Sequence, residues 1–434
     1  MGVTLQFDSA TGSDTASSGS GPAVARSVSD ASTSSDGLIV AVPNMDLSGI
    51  VAEHLIYIPG DGFREIVSVA DSGTATANVT VAVAFTADLA GQTAIIGGKL
   101  ATLFGVHKPD LQSSVQGGWT LSFASGHQEF YPTTQILTLI NNNFAGNPVK
   151  FVGEPGTQPY FEVDRASFGD GFNLSNNDYC IYENLRFHNI RSGGAADSRK
   201  TLMLGVGCIV RRCKVSALRI FSTTAVLSTE SNRDCVVVDC DIWTDNSSNG
   251  TGVAGRGVSV YGSRIWGVDT GINLNVFSTY GAVFVDNHID ARITGLLLST
   301  DFNYPSTISG NLVSVGSGGV GIELVDTRYN GHYAIERNVI TGGGAGAVAI
   351  DVVGTEAATH KFFSTKNAIH DMVNQLSDNQ KLFADNTDDP QLSGHPSTGG
   401  YSIGNQTVAD FLLPEGVSVG GGGGGGTTVI VVDD

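Results

Sequence analysis

Residues 284–289 read FVDNHI, residues 308–313 read ISGNLV and residues 335–340 read IERNVI. Each places an apolar residue three positions before an asparagine and another two positions after it. Alternation of apolar and polar positions marks a strand. Between the −3 and +2 positions that alternation breaks parity, so the chain must bend at the asparagine without forming a hairpin.

The frame recurs. It takes in Tyr179/Ile181/Asn184, Cys208/Val210/Cys213, Cys235/Val237/Cys240 and Val258/Val260/Ser263. It continues through Ala282/Phe284/Asn287, Ser306/Ile308/Asn311, Tyr333/Ile335/Asn338 and Phe362/Ser364/Asn367. The anchors lie 29, 27, 23, 24, 24, 27 and 29 residues apart. The +2 position carries Val215, Ile242, Ile265, Ile289, Val313, Ile340 and Ile369, and only the first coil slips, to Leu185 and Phe187. A second short strand follows in several coils: GINL from Gly271, GLLL from Gly295, GIEL from Gly321 and AVAIDV from Ala347.

A period of this length with two or more short strands per repeat predicts an all-β solenoid, a parallel β-helix whose coils stack at ~4.8 Å. Asparagine tolerates the left-handed backbone conformation. Stacked coil on coil, its amide can also pair with the next, so Asn184, Cys213, Cys240, Ser263, Asn287, Asn311, Asn338 and Asn367 are expected to form one internal ladder. This column resembles that of the right-handed parallel β-helix proteins, whose internal asparagine ladders lie at such bends. That family includes pectate lyases, polygalacturonases, rhamnogalacturonan-degrading enzymes, bacterial adhesins and bacteriophage tailspikes.

The flanks read differently. Residues 1–100 open on SATGSDTASSGSGP and continue with the runs GLIVAV, EHLIYI, REIVSVA, ANVTVAVAF and TAIIGG, separated by turn residues. They predict a small antiparallel β domain of about five strands, similar to the heads of structural proteins of tailed phages and suited to particle attachment. Residues 101–130 are assigned to a transition or cap, because a solenoid end must be covered. The β-helix is assigned to 131–375. NAIHDMVNQLSDNQKLF, from Asn367, has helical periodicity that would cover the far end, and 376–419 form a cap or wrap. Residues 420–434 are expected to be a glycine tether (Gly420 to Gly426) carrying a docking strand, Thr427, Thr428, Val429, Ile430, Val431 and Val432.

Composition narrows function. A net charge of −19 argues against a sequence-independent nucleic-acid binder. No run approaches a membrane span, and the N-terminus lacks signal-peptide character, so assembly in a host cytoplasm is expected. The C-x4-C pairs at Cys208/Cys213 and Cys235/Cys240 repeat at the solenoid period, which makes them core fillers rather than a zinc site. No cofactor or metal is expected.

No phosphate loop, nucleophile elbow or HExxH is present. Glycoside hydrolysis needs two carboxyls about 5–5.5 Å or about 6.5–9.5 Å apart, a spacing open to outward acids one or two coils apart; the candidates are Glu323 and Asp351 on strands and Asp301 and Asp326 in loops, with Arg328 as an aid. The outward charges flanking the bends mix both signs: Arg212, Asp239, Asp286 and Arg337 on one side, Lys214, Asp241, Arg264 and His288 on the other. They read as a solvated edge. The expectation is a structural virion protein of a tailed phage, a tailspike, tail fibre or capsid-decorating protein, that binds and assembles with other virion proteins. The resemblance to phage spikes implies a homotrimer and contact with host-surface polysaccharide. The alternatives are a polysaccharide hydrolase or lyase, and a bacterial surface adhesin.

Overall fold

The computed structural model describes residues 4–10, 26–43, 47, 50, 55–96, 100–105, 108–139, 146–164, 171–190, 200–218, 225–229, 234–245, 250–274, 282–299, 305–325, 332–353, 361–365 and 367–376. Two bodies emerge. Strands Thr4–Phe7, Thr120–Phe123, Lys150–Gly153, Ile181–Glu183, Ile209–Arg211, Val236–Val238, Ser259–Tyr261, Val283–Val285, Pro305–Ser309, His332–Glu336 and Lys361–Thr365 form an eleven-stranded parallel sheet. After a sharp bend the chain joins a sixteen-stranded sheet, in which early coils contribute two short strands and most later ones a single long one, such as Arg264–Leu274, His288–Ser299 and Val339–Val353, with Leu312–Val315 and Val320–Val325 as a later pair. This is a parallel β-solenoid. Its inward positions (Val210, Val237, Val260, Phe284, Ile308 and Ile335 from one sheet, Val215, Ile242, Ile265, Ile289 and Val313 from the other) are buried in one continuous core.

The second body is a closed antiparallel barrel whose strand order runs Arg26–Thr33, Ile39–Pro43, Thr76–Val81, Gly62–Ala70, Leu55–Ile58 and Gln92–Ile96. Closure removes the free edges that a small sheet would expose. Val40, Val42, Ile56, Ile58, Ile66, Val79 and Ile96 fill it. The strand Arg26–Thr33 was not foreseen, since RSVSDAST is too polar to stand out from its surroundings. One part of the segment assigned to this domain lies elsewhere: Thr4–Phe7 pairs in register with Thr120–Phe123 and serves as the end rung of the solenoid. Coil strands also occur inside the 101–130 transition, at Thr120–Phe123 and Gln128–Tyr131.

The bend differs from expectation in an instructive way. Asn287, Asn311 and Asn338 do not take the left-handed conformation; the residue before each does, as it does before Cys213, Cys240 and Ser263. Positive φ occurs at Arg212 (54°), Asp239 (51°), Gly262 (55°), Asp286 (56°), Gly310 (68°) and Arg337 (52°). In the first coil Asn184 itself has φ 55° and stands on the outer side, where its Nδ2 donates to the carbonyls of Gly153 and Glu154. The column position there is Leu185, because Arg186 pairs with Lys214. Asn184 is therefore not a ladder residue. Spacing could not separate it from its neighbour, since both fit a one-residue slip.

The ladder itself is continuous from Ser263 onward. The Nδ2 groups of Asn287, Asn311 and Asn338 donate to Oδ1 of Asn311, Asn338 and Asn367 at 2.9, 2.8 and 2.9 Å. Each also donates to a strand carbonyl, of Val260, Phe284 and Ile308 respectively. The backbone N–H groups of Ser263, Asn287, Asn311 and Asn338 donate to the next Oδ1 as well. Every donor and acceptor of Asn311 that the bend buries is thus used. Glycine completes the coil: a Cβ on Gly271, Gly295 or Gly321 would lie 2.3, 2.3 or 2.4 Å from a methyl of Ile289, Val313 or Ile340. The +2 side chains fill the space that these glycines leave.

At the far end, the run read as helical forms the strand Ala368–Leu376, with Val339 opposite Ala368 and Ile340 opposite Ile369. An existing sheet edge outweighs mild helical periodicity. The C-terminal wrap and docking strand lie outside the described residues.

Candidate functional site

The N-terminal coils hold a buried polar node. His127, by the register Gln128–Tyr160–Arg186–Lys214, stands in the bend column of its coil, and Glu129 points inward at the level of Phe161. His127 Nε2 donates to Glu129 Oε1 at 2.6 Å, while Nδ1 accepts the N–H of Ser9. Glu129 also accepts the N–H groups of Leu103 and Phe104 and the hydroxyl of Tyr131. A carboxylate with this many donors is stable in burial. The node fastens both segments that flank the barrel to the solenoid, which is a structural role.

Of the acids singled out from sequence, Glu323 and Asp351 come together. They pair in register on adjacent rungs of Val320–Val325 and Val339–Val353, on the outward side. Glu323 is partly buried and receives the Thr294 hydroxyl at 3.4 Å. Burial first, and then the charge of Asp351, push its carboxyl above the ordinary glutamate range. In the same column Leu297 separates the pair from Asn273, whose buried Oδ1 has no hydrogen-bond partner among the described residues. Asp301 and Asp326 lie outside the described residues, as does Arg328.

The five cysteines are free and buried. Burial pushes the thiols of Cys180, Cys235 and Cys240 up to about 12, and those of Cys208 and Cys213 also rise. They remain protonated at neutral pH, and the sulfhydryls of Cys213 and Cys240 donate to strand carbonyls. Among the described residues no group of three His, Cys, Asp or Glu side chains is placed to hold a metal ion.

A third cluster was invisible in the sequence. On the outer face of the second sheet, Phe130, Glu162, His188, Ser216, Trp243 and Trp266 occupy successive rungs of one column. The next column toward the bend carries Tyr160, Arg186, Lys214, Asp241 and Arg264. Trp243 and Trp266 stack with ring centroids 5.0 Å apart and planes within 1°. The Arg264 guanidinium sits over Trp266 at 4.9 Å, and that of Arg186 over Tyr160 at 4.7 Å. Phe130 meets the Tyr160 ring edge-on, and Tyr160 stacks with His188. Aromatic rings therefore line most of five rung spacings, about 24 Å along the solenoid axis.

Polar groups fix the row. Tyr160 donates its hydroxyl to Glu162, and Trp243 Nε1 donates to Asp245 Oδ1 at 2.6 Å. Asp245 Oδ2 lies 3.7 Å from His188 Nε2, and His188 Nδ1 meets the Ser216 hydroxyl at 2.7 Å. Desolvation holds the His188 imidazole below its ordinary range, against the opposing pull of Asp245 and Glu162. Ser216, His188 and Asp245 have the composition of a hydrolase triad, but Ser216 is fully buried. A nucleophile must reach its substrate, so this set orients the row instead. A single tryptophan at position +3 of two consecutive coils was the available signal; it takes the coil register to show that the two rings face one another.

No protein-family profile matches the chain, and no curated protein matches it in sequence. Solved structures resemble it in fold. The tailspike protein of E. coli bacteriophage HK620 in complex with pentasaccharide is 13% identical, with a TM-score of 0.39 over 58% of this chain and 55% of that one. A rhamnogalacturonan lyase is 12% identical, with a TM-score of 0.40 over 62% and 83%. The alginate lyase from Paenibacillus sp. str. FPU-7 is 13% identical, with a TM-score of 0.32 over 62% and 95%. The chain spans about half the length of the tailspike it matches. It is a parallel β-solenoid, the architecture of phage tailspikes and β-helix lyases.

Proposed function

We propose that this chain is a virion structural protein of a tailed phage, of the tailspike, fibre or decoration type, and that its solenoid binds a glycan along the outer aromatic row. The observation that carries the binding reading is the Trp243–Trp266 stack in register with Tyr160, His188 and Phe130. Indole and phenol rings offer broad apolar faces with polar edges, which suits saccharides, whose rings have apolar C–H faces and polar rims. The row is mounted on a parallel sheet pinned from inside by the hydrogen-bonded bend column, so its geometry is pre-organised.

The barrel is the attachment unit in this reading, joined to the solenoid through the His127–Glu129 node, and the working assembly is a homotrimer on the particle. Two measurements test it. Immunogold electron microscopy should place the protein on virions. Titration with host-surface oligosaccharides should quench tryptophan fluorescence and lose the response in Trp243→Ala and Trp266→Ala. Absence from particles sinks the virion assignment; unchanged glycan binding in both variants sinks the aromatic row.

A second reading, polysaccharide hydrolysis, has one specific observation in its favour. Glu323 and Asp351 are carboxyls on adjacent rungs, and a glutamate whose carboxyl is pushed upward by burial and a neighbouring acid is better suited to give a proton to a leaving group. Reducing-end release that vanishes in Glu323→Gln and Asp351→Asn would establish it.

A further inference from the structure

The arginines of the outer row are held differently from those that form ion pairs. Arg64 pairs with Asp61, Arg211 and Arg212 with Glu183, Arg292 with Asp269 and Arg337 with Glu336. Arg186 and Arg264 instead sit over the rings of Tyr160 and Trp266, and among the described residues neither is paired with a carboxylate. Lys214 stands on the rung after Arg186, is exposed, and is likewise unpaired among the described residues. On a chain of net charge −19, carboxylates are the abundant partner. Three cations without an ion pair therefore stand together in one column beside the aromatic row.

Among the described residues no nearby carboxylate lies within ion-pair distance of these three side chains. Glu162 is engaged by the Tyr160 hydroxyl, and Asp245 by Trp243 Nε1 and His188. Asp241 remains, one rung from Lys214 on one side and from Arg264 on the other. A guanidinium over a ring loses little freedom on binding and can offer N–H groups to a carboxylate, sulfate or phosphate; in Arg186 the Nε is buried without a partner among the described residues, so the terminal nitrogens are the ones on offer. Arg186 and Arg264 are three rungs apart, about 14 Å.

We infer that the ligand of the aromatic row is an anionic glycan, bearing carboxylate, sulfate or phosphate groups that the forks of Arg186 and Arg264 and the Lys214 ammonium receive, while Trp243 and Trp266 take the sugar faces. This rests on the glycan-binding reading above and specifies its ligand class.

The test is a binding screen of the full-length protein on immobilised bacterial surface polysaccharides, acidic and neutral, with Trp243→Ala, Arg186→Gln, Arg264→Gln and Arg264→Lys run in parallel. Thermal unfolding confirms that each variant is folded. The expected result is retention of acidic polysaccharides, weakened by added salt and lowered roughly tenfold in each glutamine variant. Arg264→Lys should fall between wild type and Arg264→Gln, because it keeps the charge and loses the fork. Neutral polysaccharides retained as well as acidic ones, with loss in Trp243→Ala but not in the arginine variants, would overturn the anionic assignment and leave the glycan-binding reading standing. Binding that is indifferent to Trp243→Ala, or absent throughout, would remove both.

Discussion

The bend column is built from two kinds of residue in the two halves of the solenoid. From Asn287 to Asn367 it is an amide ladder in which each side chain bonds the next rung and the strand behind it. From Leu185 to Cys240 it is an apolar residue and two thiols, the latter bonded only to backbone carbonyls. Ser263 joins the halves, giving its hydroxyl to Tyr261 and accepting the N–H of Cys240. The backbone turns in both halves, because the left-handed residue lies one position earlier in each. The amide ladder therefore does not bend the chain. It satisfies the polar groups that the bend buries, and it locks the register of successive coils.

That contrast has consequences of graded size. Asn311→Leu should be the most damaging change, at about 2–4 kcal/mol, because it strands Asn287 Nδ2 and the Phe284 carbonyl in the core and withdraws a donor from Asn338. Cys240→Ala, in the same column, should cost about 1 kcal/mol, and chemical denaturation of the two variants measures the gap. Equal losses would mean that the two halves are held alike.

Gly295→Ala should come next, at about 1–3 kcal/mol. Its Cβ would meet Val313 Cγ1 at 2.3 Å and the Gly321 carbonyl at 2.5 Å, and Val313→Ala can relieve only the first contact. A melting temperature unchanged by Gly295→Ala would show that the second sheet shifts more readily than the hydrogen-bonded bend.

Glu323→Gln should act in proportion to pH. The raised carboxyl means that the folded chain binds more protons than the unfolded one just above the ordinary glutamate pKa. Stability is therefore lost as pH rises through that window. Glutamine removes the loss, so the variant's melting temperature should move upward relative to wild type as pH rises above about 4, the ordinary glutamate range. A constant difference across that range would mean that neither burial nor Asp351 raises the Glu323 carboxyl.

The smallest effect belongs to the turn residue. Arg337→Gly, at φ 52°, should be neutral or stabilising by a few tenths of a kcal/mol, whereas Gly310→Ala, at φ 68°, should cost about 1 kcal/mol. If the two changes shifted stability in the same direction, the left-handed position would not be what shapes the bend.

Much of the architecture was legible because a solenoid repeats its constraints. The inward positions of Phe284, Ile308 and Ile335, and the bend at Asn287, Asn311 and Asn338, recur at one interval, and a core that must be apolar on every rung writes that interval into the chain. Asn184 was misplaced by one residue because an asparagine suits both the left-handed position and the column. The strand Ala368–Leu376 was read as helix because its own pattern is ambiguous and only the preceding rung supplies a template.

The outer face carries no such repeat, since solvent does not demand periodicity. Arg264 and Lys214, read along the chain, belong to a mixed-sign edge. Only stacking the rungs brings Trp243 onto Trp266, sets Arg186 over Tyr160 and joins Glu323 to Asp351 across a single rung. Sequence alone determined the coil, its period and its core, because burial acts on each residue according to its own hydrophobicity. The aromatic row, the acid pair and the His127–Glu129 node were decided by tertiary structure, because each depends on distances between residues that the chain separates by a full turn or more.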